Sequence, residues 1–167
     1  MKLILVRHAE AVNVGEAQAI NDFDRSLTDL GRTQAEALAK ALAGLNVRPG
    51  LVLTSPYLRA VQTAEPLAAT LTPGVIPQLN DFLRLEEVKP RKLAKQISEL
   101  GLSTVVLVGH MPDMSRLAGW ILGCSSGTIA FDKSAAALIA CGKTIEKGSG
   151  ELHWLATPDW FLHTTSI

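Results

Sequence analysis

Three short apolar runs punctuate the chain: Leu3 to Val6, Leu51 to Thr54 and Val105 to Val108. Each is rich in Val, Ile and Leu and is bounded by turn residues, the pattern of strands buried on both faces of a parallel sheet. Helical periodicity fills the intervals. Thr28 stands where a cap is needed for a helix whose Ala35, Leu38, Ala39 and Leu42 recur at i, i+3, i+4 and i+7, ending at Gly44 or at Pro49-Gly50. Ser55-Pro56 reads as N-cap and first residue of a second helix through Leu58, Val61, Ala64, Ala68 and Leu71. Pro66 inside that pattern predicts a kink or an early end. A short helix follows Pro90, marked by Leu93 and Ile97, and Pro112 opens another with Met114, Leu117, Ile121 and Leu122 on one face. Ala135 to Cys141 and Gly150 to Ala156 read as two strands joined by a polar turn around Lys143 to Gly150. There is no internal repeat, low-complexity tract or linker. The order predicts one α/β domain over residues 1–167, a three-layer sandwich with a mainly parallel central sheet, helices on both faces and a C-terminal β-hairpin.

Composition narrows the partners. The 167 residues suffice for one core, and 16 Lys plus Arg against 16 Asp plus Glu leave no overall field to recruit nucleic acid or an anionic membrane. Cys124 and Cys141 have neither metal-ligand spacing nor the density of a disulfide scaffold, so they read as small buried hydrophobes in a reducing compartment. Leu3 to Val6 is too short for a signal-peptide core, and no run approaches the roughly 20 apolar residues of a membrane span. A cytoplasmic protein is expected.

The candidate chemistry lies just beyond the three buried runs. The first leads into Arg7-His8, the second into Ser55-Pro56 with Arg59 a turn later, and the third into Gly109-His110. Ligands of an open parallel sheet bind outside the carboxyl ends of its strands, so two arginines and two histidines gather on one edge. Arginine presents a planar fork of donors that matches phosphate oxygens and stays charged. Histidine titrates near neutrality and serves as a neutral nucleophile or a charged donor. Arg59 also stands early in a helix, where free N–H groups favour an anion. Each residue alone has a commonplace reading as solvated surface or turn; the joint pattern points to a phosphate site.

Four segments in order resemble the histidine phosphatase superfamily, the phosphoglycerate-mutase-like fold. Arg7-His8-Ala9 is similar to its Arg-His-Gly signature, with alanine for glycine. Leu27-Thr28, Gly31 and Gln34-Ala35 resemble its Leu-Thr-x-x-Gly-x-x-Gln-Ala segment, Ser55 to Glu65 its second-arginine helix, and Gly109-His110 its second histidine. The shortness of the chain looks most like the bacterial SixA-type phosphohistidine phosphatases. The resemblance, with the chemistry, implies that neutral His8 attacks phosphorus and that water then hydrolyses the phosphohistidine enzyme, with no metal or other cofactor. Arg7, Arg59 and a protonated His110 would hold the three equatorial oxygens. Asn13 would either add a donor to the phosphate or serve a loop turn.

The general acid is the open question. Asp81, Glu86 and Glu87 lie in the segment where many family members place one, but their surroundings match no motif and also suit solvated loop carboxylates. The expected substrate is a phosphorylated signalling protein carrying phosphohistidine. A phosphatase of small phosphate esters keeps the same chemistry, and a non-catalytic phosphate-binding module would use the same pocket. A metallohydrolase on His8 and His110 is opposed by the adjacent arginines. His153, Trp120, Trp154 and Trp160 read as strand or packing residues, and His163 as surface in a polar tail starting near Pro158.

Overall fold

The computed structural model describes residues 1–125 and 127–162. The three apolar runs become β1 (Lys2–Arg7), β2 (Leu51–Thr54) and β4 (Thr104–Gly109), with the two-residue β3 (Gln78–Leu79) between the last two. Between and after them run α1 (Asp29–Gly44), α2 (Leu58–Leu71), α3 (Pro90–Glu99) and α4 (Asp113–Leu122). The hairpin strands are β5 (Ala136–Ala140) and β6 (Glu151–Ala156), and a short α5 (Pro158–Leu162) follows where only a polar tail was expected. Buried Pro158 and Phe161 account for α5, because Phe161 packs into the core beside α1. His163 lies outside the described residues.

One sheet in the order β3-β2-β4-β1-β5-β6 forms the middle layer. Strands β3, β2, β4 and β1 are mutually parallel, while β5 runs antiparallel to both β1 and β6. Alternation within each buried run separates two cores. Leu3, Leu5, Val105 and Leu107 face α3 and α4 through Leu93, Ile97, Leu117 and Ile121. Ile4, Val6, Val106 and Val108 face α1 and α2 through Leu38, Leu42, Ala64 and Leu67. The three-layer α/β architecture is thus written in the two-residue period of strands that are apolar on both sides.

Local chemistry decides where helices begin and end. Thr28 caps α1, its hydroxyl accepting from Gly31 N–H at 3.0 Å, and the helix ends at Gly44. Gly31 is required for a different reason: a Cβ there would lie 2.0 Å from the carbonyl oxygen of Glu10. Helix α2 departs from expectation. It starts at Leu58, Tyr57 occupies the cap position without a side-chain bond, and Ser55-Pro56 lies ahead of it. The Ser55 hydroxyl, two residues ahead of the cap position, lies 2.8 Å from His110 Nε2 and accepts from Tyr57 N–H at 3.4 Å. The helix also runs past Pro66 to Leu71 rather than ending there.

Trp120 and Trp154 are half-buried against the two cores, but Trp160 is 70% exposed and packs into neither. His153 is exposed on β6. Cys124 and Cys141 are free and only half-buried, so the expectation of fully buried thiols is corrected. Among the described residues, no helix is long and apolar enough to cross a membrane.

Candidate active site

Register brings the site together. Arg7 stands opposite Gly109, and Thr54 opposite Val108, so the residues that follow each strand become neighbours. The ladder continues one step beyond: His8 N–H donates to Gly109 carbonyl and Ser55 N–H to Val108 carbonyl, each at 2.9 Å. His8, Ser55 and His110 therefore line one edge of the sheet, and α2 adds Arg59.

The side chains converge as the sequence anticipates. His8 and His110 place their ring centroids 5.1 Å apart. The Arg59 Nε donates to His8 Nε2 at 3.1 Å, and His8 Nδ1 lies 2.7 Å from the carbonyl of Ala9. A carbonyl only accepts, so Nδ1 carries the ring proton and Nε2 is left with its lone pair. Burial is the main influence holding the His8 pKa well below the usual histidine value, reinforced by His110, Arg59 and Arg7 and partly opposed by the Ala9 carbonyl. His8 is a neutral imidazole with the lone pair of Nε2 turned toward a guanidinium.

His110 corrects one expectation. Burial first, and then Arg59, push its pKa down to about 3, so the unliganded ring is neutral rather than protonated. Three buried polar atoms have no partner among the described residues: Arg7 Nε, His110 Nδ1 and Ser134 Oγ. Two belong to the predicted cluster, and the third to a residue whose N–H bonds the carbonyl of His8 at 3.2 Å. Unmet buried polar atoms cost stability, and their gathering around His8 marks a place for a polar ligand.

The structure also brings in residues that the sequence did not mark as site candidates. Asp22, in the loop between β1 and α1, accepts from Arg59 Nη2 at 2.9 Å and from Arg25 Nη1 at 2.8 Å. Its backbone carbonyl takes Arg59 Nη1 as well. Burial alone would raise the Asp22 pKa, but these arginines hold it below the usual carboxylate value. Tyr57 lies edge-on to His110 with centroids 4.9 Å apart, and the Arg59 guanidinium lies 4.9 Å from the Tyr57 ring centre. Thr63 ties the frame: its hydroxyl accepts from Ala9 N–H at 3.0 Å and donates to the Arg59 carbonyl at 2.7 Å. Asp22 sits in a stretch without periodicity, 37 residues from Arg59, and only the folded chain reveals their pairing.

Four sequence candidates lie apart from the cluster. Asn13 is exposed, with its Nδ2 3.3 Å from a Glu16 carboxylate oxygen, the loop-turn alternative rather than a free donor. Asp81 is 80% exposed and paired with Arg84. Glu86 and Glu87 are exposed, and Glu86 contributes its backbone N–H to the fully buried carboxylate of Asp113. None of these three acids is hydrogen-bonded to Arg7, His8, Arg59 or His110 among the described residues.

Comparison with known proteins agrees with this geometry. The sequence profile of the histidine phosphatase superfamily, branch 1, matches residues 3–101. The phosphohistidine phosphatase SixA of Escherichia coli is 28% identical over 164 residues, covering 95% of this chain and 94% of that protein. The structure of the protein histidine phosphatase SixA complexed with tungstate superposes with a TM-score of 0.83 at 24% identity, over 95% of this chain and 98% of that one. The alpha-ribazole phosphatase of Shigella flexneri shares the fold with a TM-score of 0.74 at 18% identity, over 95% and 97% of the two chains. The two strand-end histidines, their arginines and the matching profile have one reading: the chain belongs to the histidine phosphatase superfamily, branch 1, and is a phosphatase.

Proposed function

We propose that this phosphatase acts on phosphohistidine in a phosphorylated protein, through a covalent phosphohistidine formed on His8. The observation that carries the choice of substrate is the state of the acids. Asp81, Glu86 and Glu87 are exposed and make no hydrogen bond to Arg7, His8, Arg59 or His110 among the described residues, while Asp22, which bonds Arg59, is held ionised by two arginines. Cleaving an alkyl phosphate needs a proton for a poor alkoxide leaving group, and a positioned acid typically contributes about 10²–10⁴ in rate. The imidazole of phosphohistidine takes its proton from solvent on its other ring nitrogen, which titrates near neutrality, and departs without an enzyme acid.

In this mechanism the lone pair of His8 Nε2 attacks phosphorus in line, and the bond from phosphorus to the substrate's ring nitrogen breaks. Its electron pair goes to the departing ring, which has taken a proton from solvent on its other nitrogen and so leaves as neutral imidazole. Arg7, Arg59 and His110 hold the three non-bridging oxygens, where charge spreads in the transition state. Water then attacks phosphorus, the bond to Nε2 breaks, and inorganic phosphate leaves while its proton passes to solvent. The Ala9 carbonyl keeps the His8 proton on Nδ1 throughout. Two arginines beside the histidines disfavour a divalent cation, and the cytoplasm is the setting in which we place the reaction.

The second reading, a phosphatase of small esters, is favoured by the fold shared with the alpha-ribazole phosphatase. Turnover of a phosphohistidine protein, an aryl phosphate and a phosphosugar separates the two. The proposal expects the first two to be fast and the third slow, with activity abolished in His8→Ala. An alkaline quench of labelled enzyme should trap a phosphoenzyme that acid destroys. Fast phosphosugar turnover with a slow phosphohistidine reaction would overturn the substrate assignment, and an active His8→Ala would overturn the chemistry.

A further inference from the structure

We propose that Ser55 fixes His110 as a neutral hydrogen-bond donor, holding the ring proton on Nδ1 for the phosphoryl oxygens. The inference deepens the function proposed above and takes from it the identity of the anion. Ser55 Oγ lies 2.8 Å from His110 Nε2, and both residues are buried. The same oxygen accepts from Tyr57 N–H at 3.4 Å. A hydroxyl has one proton to give, and with Tyr57 on its acceptor side that proton is free for Nε2. Nε2 then accepts, and the ring's own proton must stand on Nδ1.

The opposite tautomer leaves two conflicts. Ser55 Oγ would accept from both Tyr57 N–H and His110 Nε2–H, leaving its own proton without that partner, and the buried Nδ1 would present a lone pair. A lone pair repels the phosphoryl oxygens that Arg7 and Arg59 attract. Protonation of the ring offers no third way near neutral pH. The cations around His110 are Arg59 from α2, Arg7 from β1 and Arg25 from the following loop, with Asp22 as the opposing charge and His8 and Tyr57 as neutral neighbours. Burial and these cations keep the ring uncharged, so its donor comes from tautomer choice. Ser55 is thus a positioning residue, and it lies two places ahead of Tyr57, the cap position of α2.

Nitrogen-15 NMR of the histidine-labelled full chain reads the tautomer directly, without and with vanadate. The wild type should show His110 protonated at Nδ1 and bare at Nε2 near neutral pH. Ser55→Ala should mix the tautomers and weaken vanadate binding about tenfold, the worth of one well-placed hydrogen bond, and Ser55→Thr should restore both. A purely structural role would lower the melting temperature without moving the tautomer. The proposal is overturned by an Nε2-protonated or imidazolium His110 in the wild type, or by an unchanged tautomer in Ser55→Ala. Should Ser55→Ala fail to fold, the wild-type spectrum decides alone. Absence of a phosphoenzyme would sink the proposed function while leaving this measurement intact.

Discussion

Gly31→Ala sets helix propensity against a tertiary contact, and the two predict opposite signs. In an isolated helix alanine is better than glycine by about 0.8–1.0 kcal/mol, so local preference alone would stabilise the protein. Here the added Cβ would lie 2.0 Å from the Glu10 carbonyl oxygen, 2.9 Å from its carbon and 3.1 Å from its nitrogen. The obstacle is backbone, and it is held on both sides: Glu10 N–H donates to Gln34 Oε1 and the Glu10 carbonyl accepts from Thr28 N–H, each at 3.1 Å. Relief requires α1 to retreat by more than an ångström. Overpacking of this kind costs about 1–3 kcal/mol, and disturbing the Thr28 cap adds about 1 kcal/mol. The sum, about 2–4 kcal/mol, corresponds to a fall in melting temperature of about 5–15 °C for a chain of this size. Activity should fall as well, because Glu10 adjoins the Ala9 carbonyl that sets the His8 tautomer. Thermal unfolding by circular dichroism, with kcat/KM on an aryl phosphate at 25 °C, measures both. Gly44→Ala is the control, since its Cβ would meet nothing within 4 Å, and it should be neutral or stabilising. A Gly31→Ala protein melting at or above the wild type would refute the argument.

Arg59→Ala should lower kcat/KM on an aryl phosphate by about 10²–10³, and Arg59→Lys by less, because lysine keeps the charge and loses the planar fork; undiminished efficiency in the alanine variant would take Arg59 out of the site. Asp22→Asn should bind inorganic phosphate several-fold more tightly, since the carboxylate competes for Arg59 donors; weaker binding, read as a higher inhibition constant, would mean that Asp22 orients Arg59 instead. Stability should fall as pH drops below about 6.5, because the unfolded chain protonates His8 and His110 there while the fold keeps them neutral, down to about pH 3 for His110. Each histidine contributes a slope of about 1.4 kcal/mol per pH unit in that window, and a urea midpoint constant between about pH 6.5 and 5 would contradict both assignments.

The parts legible from sequence are those whose signal is periodic or terminal to a periodic element. Leu3 to Val6 and Val105 to Val108 announce strands buried on both faces, so Arg7-His8 and Gly109-His110 could be placed at strand ends, and the parallel register then makes them neighbours. Thr28 is readable as a cap because its neighbours in sequence are the groups it bonds. Ser55 looked equally readable and was not, since α2 starts only at Leu58 and the nearest partner of the Ser55 hydroxyl is His110, 55 positions away. Asp22 is illegible for the same reason, since it acts through a partner distant in the chain and lies in no pattern that would single it out; Thr63 lies in the recognised second-arginine segment, but its bond to Ala9, 54 positions away, is not readable there. The charge of His110 depends on burial and on the sum of surrounding cations, quantities that exist only after folding.

The Thr63 hydroxyl has a mechanical consequence. One oxygen joins Ala9 N–H, next to His8 and 54 positions from Thr63 in the sequence, to the Arg59 carbonyl in the first turn of α2. Thr63 and Ala9 are wholly excluded from solvent, and Arg59 nearly so. The nucleophile and the guanidinium are therefore parts of one stiff body, and neither can drift while the other stays. A fluctuation that frees the Ala9 amide must loosen the first turn of α2 with it, so the exchange rate of that single proton gauges how often the whole cradle comes apart.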